Sequence, residues 1–406
     1  MKSAAFQSSR NVQATISPPV PLARKWAARY PATPDRPLIN MSQGVPGNPP
    51  HQSFVQALAS ATAEDQQSFS YVDVEGTPEI RRALAAETKV VYGPSTDVAP
   101  EDIMITSGCN LAFTAVVMSL ADAGDEVILP VPWYFNHQMT LSLLDITTIP
   151  LKTTEETGFL PSVEACEKLI TSKTKAIALV TPNNPTGAVY PPALLTAFLE
   201  LARSRGLALI LDETYRDFVL PGPPHDLFSS DLPNSWRTNL IQLFSFSKSY
   251  SIPGLRLGAI AACSSHAPSL VKILDTLQIC PAVPGQLALA STMASLRPSI
   301  QTIAASIAER QKLFKRSVPE GWKVGAQGGF FAFVKHPFKD VTSSEVCMRM
   351  AQEGGLVTLP DEFFTMDGEG DRWIRFSIAN VGEADILEAC RRMGGCEQQF
   401  GWTVGT

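Results

Sequence analysis

The chain has 406 residues, 45% hydrophobic and 18% charged, which is enough for two domains and a sizeable core in an ordinary globular protein. Its formal charge of −6 argues against nucleic acid or an anionic membrane as the main partner, and no apolar run approaches the length that spans a bilayer. Seven scattered cysteines, odd in number and without a CxxC pair, suit a reducing compartment better than a disulfide framework.

In chain order, the first twenty residues are polar, end in prolines and lack the continuous apolar stretch of a secretory signal. They carry Lys2 and Arg10 but no acid, so a mitochondrial transit segment stays open beside a disordered leader or arm. The C-terminal VGT is not a peroxisomal signal, and the expected location is cytoplasmic. Apolar runs at 103–106, 127–129, 176–181, 207–211, 240–244 and 257–261 read as strands alternating with helices. That is the α/β pattern of a mostly parallel sheet, with ligands outside the carboxyl ends of its strands. The first strand runs through SGCN, with Ser107, Gly108, Cys109 and Asn110, into a helix, which aims backbone N–H groups at an anion. PALLTAFLELARSRG reads as a helix stopped by Gly206. The texture changes at PAVPG, 281–285, after which 299–316 reads as a long helix. GGFFAFV, a helix at 345–355, WIRFSIA and a helix at 383–393 then suggest a smaller α+β domain.

Three segments place chemistry at strand ends. TPNNPTG carries Asn184 in a turn, and DETY puts Asp212 at the end of 207–211 with Tyr215 three residues on. SFSKSYSIPGLRLG follows 240–244 and sets Lys248 between Ser245 and Arg256, two groups suited to a phosphate. A lysine desolvated there beside cations has a lowered pKa and a free lone pair, and can act as a Schiff-base nucleophile. Each segment has a plain alternative: a surface lysine, an Asp helix cap, an Asn turn. Together they match the needs of pyridoxal 5'-phosphate: a carboxylate for the ring nitrogen, a phenol and a carboxamide for the ring oxygen, a lysine and a phosphate cradle.

With these motifs the chain resembles the class I/II aminotransferases of pyridoxal-phosphate fold type I, the aspartate aminotransferase-like superfamily, from LINMSQG to IRFSIA. The resemblance implies a large domain at 50–285 with a mostly parallel seven-stranded sheet between helices. It also implies a small domain at 286–406, completed by an arm and segment at 1–49. It makes Lys248 the aldimine lysine and proton shuttle, Asp212 the pyridinium partner, and Tyr215 and Asn184 the ligands of the ring oxygen. Gly108, Cys109, Asn110, Ser245 and Arg256 then hold the phosphate, with Ser107 and Ser247 as further candidates, although Cys109 departs from the small or hydroxylated residue expected. Tyr134 is the stacking aromatic, ahead of Trp133, and His137 is a candidate partner for Asp212, with a structural histidine as the alternative. Arg375 and Gly44 meet the substrate carboxylate. Tyr71 is the tyrosine that related dimers send to the neighbour's phosphate, so a homodimer with shared sites is implied.

The activity expected is transfer of an amino group from an L-amino acid to a 2-oxo acid. A carbon–sulfur lyase or aminocyclopropanecarboxylate-synthase-like enzyme of the same fold is the alternative, and a non-catalytic regulator a third. The segment LQICPAVPGQLALA is mostly apolar and lacks the arginine that a dicarboxylic substrate would need, which favours a neutral amino acid. No metal site is expected.

Overall fold

A computed structural model describes residues 6–219, 221–366, 368, 370 and 372–405. Its central sheet has seven strands: β1 Ile103–Thr106, β2 Glu126–Val131, β3 Thr147–Lys152, β4 Thr174–Val180, β5 Ala208–Asp212, β6 Leu240–Ser245 and β7 Gly258–Ala261. They lie in the order β1-β7-β6-β5-β4-β2-β3, with β7 antiparallel to both its neighbours and the rest parallel. Because side chains alternate along a strand, Leu209 and Leu211 enter one core while Ile210 enters the other. Helices cover both faces, as continuous apolar strands require.

Six of these strands stand out in the sequence as apolar runs, and β3 does not. TTIPLK lies at the sheet edge with all but one residue half-exposed or exposed and a proline in its middle, which an edge strand tolerates. Four of the helices packed on the sheet are α1 Cys109–Leu120, α2 Phe135–Leu143, α3 Pro192–Arg205 and α4 Val283–Ser317. Gly206 ends α3 at φ 67°, as its position suggests.

Helix α4 corrects an expectation, since it begins at Val283 and not near 299. Pro284 sits in its first turn, where no backbone donor is lost, and Gly285 lies where a Cβ would come within 2.9 Å of Leu257. The apparent breakers are a helix start and a close contact. The expected division at 285/286 therefore falls in the first turn of a helix whose earlier residues, such as Leu289 and Leu296, pack with the large sheet. Its Leu313 and Phe314 pack with a second core.

That second core surrounds an antiparallel sheet of β8 Lys323–Gly328, β9 Phe331–Lys335, β10 Leu359–Pro360 and β11 Trp373–Ser377, in the order β10-β11-β9-β8. Helices α5 Ser343–Gln352 and α6 Glu383–Phe400 complete it, together with Ala23 and Trp26 of an early helix at Pro19–Ala27. Strand Ile39–Asn40 pairs in parallel with Leu356–Val357. The expected leader is also partly ordered: Arg10–Ala14 is helical, with Asn11 donating to the Leu143 carbonyl at 3.3 Å. Residues 1–5 lie outside the described residues. No helix among the described residues is long and apolar enough to cross a membrane.

Candidate active site

The carboxyl ends of β1, β4, β5 and β6 converge on a cavity of about 120 Å³. Cys109, Asn110, Tyr134, Asn184, Asp212, Tyr215, Ser245, Ser247, Lys248 and Arg256 line it. The sheet explains the convergence: parallel strands present their following loops on one side, where α1 also begins. A larger groove of about 760 Å³ lies at the opposite strand ends, but its Lys175, Arg205 and Arg237 each pair with a nearby carboxylate.

Asp212 is buried at the end of β5 and faces His137 Nε2 across 3.2 Å. Its other oxygen accepts the Thr214 N–H at 3.0 Å and the Thr214 hydroxyl at 2.7 Å. Burial alone would raise the Asp212 pKa, but His137 and Thr214 outweigh it and hold the carboxyl below its ordinary value. His137 is fixed by stacking on Phe113, with ring centres 3.8 Å apart, and its edge meets Tyr134. Thr214 lies inside DETY and could have been found from its hydroxyl, two residues past the aspartate.

Lys248 Nζ donates to the Gly44 carbonyl at 2.5 Å. Burial, followed by Arg256 and Arg375, lowers its pKa to about 8. A neutral amine is thus within reach near physiological pH, which the sequence context suggested. Burial raises Tyr134 to about 12 and Tyr215 well above its ordinary value, so both phenols keep their protons. Burial and then Asp212 do the same for the Cys109 thiol.

The anion cup is built by close approach. Gly108 has φ +91° and ψ 162°, and a Cβ there would meet Arg256 Nη2 at 2.3 Å. The N–H groups of Cys109 and Asn110, in the first turn of α1, have no acceptor among the described residues, and the buried Ser247 hydroxyl has none either. The loop is pinned from behind by Gln278, which accepts the Ser107 N–H at 2.8 Å and donates to the Ile105 carbonyl at 3.1 Å. Nothing local in the sequence signals that contact, because it spans 171 residues. The resemblance implies that this turn holds the phosphate of pyridoxal phosphate; on that expectation Gly108→Ala should weaken its binding by roughly tenfold or more, since the substitution combines backbone strain with displacement of a guanidinium. Equilibrium titration of the apoenzyme measures this.

Arg375, on β11, is buried between Phe331 and Phe364, whose ring centres lie 4.7 and 5.0 Å from its guanidinium carbon. It donates to Asn184 Oδ1 at 2.7 Å and to the Ser42 carbonyl, while its Nε has no partner. Burial lowers its pKa to about 10. No carboxylate pairs with it among the described residues. Gly44 lies against Phe331, where a Cβ would come within 2.4 Å of that ring. Tyr71 is 81% exposed, away from this chain's cavity, and Trp133 is buried outside it.

Comparisons with known proteins identify the family. The pattern of the family Aminotransferase class I and II matches residues 36–393. An aromatic aminotransferase of Arabidopsis thaliana is 27% identical over 364 residues, 87% of this chain and 88% of that protein. An aspartate aminotransferase of Sulfolobus acidocaldarius is 26% identical over 368 residues, 88% of this chain and 89% of that one. The crystal structure of an aminotransferase from Mycobacterium tuberculosis superposes with a TM-score of 0.86 at 26% identity, covering 97% of this chain and 100% of that chain. With a sheet and a set of strand-end groups that suit it, the chain belongs to the class I and II aminotransferases, enzymes that use pyridoxal 5'-phosphate.

Proposed function

We propose that this aminotransferase takes its amino group from a neutral L-amino acid and passes it to a 2-oxo acid. The observation that carries the reading is Arg375: a buried guanidinium with an unpaired Nε and no carboxylate partner among the described residues. A buried cation of that kind calls for an anion, and a substrate carboxylate supplies one through paired donors. The rings of Phe331 and Phe364 beside it favour an apolar substrate side chain. The other cations at the cavity, Lys248 and Arg256, have roles of their own in this reading.

The residues also fit the cofactor. The unpartnered Ser247 hydroxyl, the free N–H groups at the start of α1 and the Gly108–Arg256 contact form a cradle for a phosphate. At the other end Asp212, held ionised, suits a protonated ring nitrogen. Asn184 and Tyr215 offer a carboxamide and a phenol for the ring oxygen. When bound, pyridoxal phosphate supplies the electron sink that lets an amino acid's Cα–H bond break. Arg375 would orient the substrate by its carboxylate, and the Lys248 amine would take the proton from the substrate Cα and deliver it, on the same face, to the cofactor carbon that carried the aldehyde oxygen.

The exposed Tyr71, with Phe69 beside it at 77% exposure, supports a homodimer in which this segment meets a second copy. The free cysteines support a reducing compartment, of which the cytosol is the one proposed.

The test mixes the cofactor-loaded enzyme with single amino acids and no oxo acid. Neutral donors should convert one equivalent of cofactor to its pyridoxamine form and stop, at least about tenfold faster than aspartate or glutamate. Faster conversion by the acidic donors would overturn the specificity. Continuous release of ammonia with an oxo acid would replace transfer by the lyase alternative.

A further inference from the structure

Lys248 rides on a four-residue helix, Phe246–Ser249, which is too short to hold itself. Its front end is fixed: Phe246 N–H donates to the Leu257 carbonyl at 3.2 Å and Ser247 N–H to Ser245 Oγ at 3.3 Å. Its exit rests on Tyr250 and Ser251 N–H bonds of 3.2 and 3.4 Å before Ser251 turns to φ 57°. Left-handed backbone at a serine is strained and needs outside support.

That support comes from side chains. Ser249 Oγ donates to Asp217 Oδ2 at 2.5 Å, both groups being buried. Asp217 stands in the turn Arg216–Phe218, directly after Tyr215, and its other oxygen receives Arg297 Nη1 at 2.6 Å. Arg297 projects from α4 and also binds Glu87 through Nε at 2.5 Å. Further along α4, Gln311 Nε2 donates to the Gly329 and Phe331 carbonyls at 3.2 and 3.1 Å. Phe331 is the ring against Gly44, whose carbonyl holds the lysine amine. The root of the lysine and the wall behind its resting acceptor are therefore tied to one helix.

We propose that the Ser249–Asp217–Arg297 chain positions Lys248, fixing its Cα so that Nζ reaches the carbon of the cofactor aldehyde. The proposal rests on Lys248 being the reacting amine. Ser249 and Asp217 are positioning residues, acting through the lysine and touching no ligand. Removing the hydroxyl leaves Asp217 paired with Arg297, so the loss should fall on the geometry of one amine and spare the fold.

The experiment follows apoenzyme mixed with pyridoxal phosphate by stopped-flow absorbance, which needs no amino acid. A concentration-dependent phase reports binding. A first-order phase reports the covalent step, in which Nζ replaces the aldehyde oxygen and that oxygen leaves as water. Ser249→Ala should slow the first-order phase by at least about tenfold and leave the binding phase within about threefold, as expected for a misplaced reacting group. Ser249→Thr, which keeps a hydroxyl, should restore it. Asp217→Asn should slow the same phase, and the double variant should be no slower than the worse single variant. An unchanged first-order phase in Ser249→Ala, or no recovery in Ser249→Thr, overturns the proposal. So does an equal loss in both phases with a lowered Tm, the mark of general loosening. Failure of the underlying reading looks different: the wild type would then show a first-order phase that survives Lys248→Ala.

Discussion

Lys248→Ala is expected to abolish turnover, with kcat falling by at least about four orders of magnitude, while the protein still takes up pyridoxal phosphate. The amine is half-buried and its pKa stands near 8 because burial, Arg256 and Arg375 all disfavour its charge. At pH 7 about a tenth of such amines are neutral, far more than for an ordinary lysine, so a reactive nucleophile is present without a separate base. In the proposed reading the substitution removes both the amine that links to the cofactor and the group that carries the Cα proton, and both losses act on the same reaction. It does not touch the cradle at Gly108, Ser247 and Arg256, nor the carboxylate of Asp212. The expected result is thus a folded protein that binds the cofactor noncovalently and lacks the absorbance band of the lysine-linked form. Absorbance spectra of the purified variant and single-turnover assays measure the two parts separately. Multiple turnovers by this variant would remove Lys248 from the centre of the reaction.

Much of this site was legible because its groups lie just past apolar runs. Asp212 ends β5, Ser245 ends β6 and Lys248 follows it, so strand periodicity alone put them on one side of the sheet. Gly108 was legible for a related reason, since a strand-to-helix turn that closes on an anion needs a residue able to take positive φ. What was not legible joins distant parts of the chain. Gln278 behind the anion cup, the Ser42 carbonyl on Arg375, and the path from Ser249 through Asp217 to Arg297 arise only when separate elements pack. The start of α4 was hidden because Pro284 and Gly285 carry the same letters whether they break a helix or begin one. Strand β3 was hidden by its edge position, where a half-polar face and Pro150 erase the apolar signal.

Asp212→Asn should lower kcat by about two to three orders of magnitude and change KM by no more than about threefold, a pattern that separates charge from binding. The amide keeps the shape of the carboxylate and an oxygen for the Thr214 hydroxyl and N–H, so the cavity should persist. What it loses is the negative charge, which His137 and Thr214 hold in place against the raising effect of burial. In the proposed reading a ring nitrogen would then no longer be kept protonated, and the pull on electrons from Cα would weaken while Arg375 still held the substrate carboxylate. The pH dependence has a definite sign. A carboxyl whose folded pKa lies below its unfolded value, about 3.9, contributes stability that is complete above that value and is lost only as pH falls through the folded pKa. Asp212 therefore stays charged across the neutral and mildly acidic range, and any acid limb of the wild-type rate above about pH 5 belongs to another group. Steady-state kinetics of the variant between pH 5 and 9 should show a uniformly depressed kcat with KM near the wild-type value. A kcat equal to that of the wild type would mean that no cation faces this carboxylate during turnover, and a large rise in KM with kcat intact would move Asp212 from the chemistry to substrate binding.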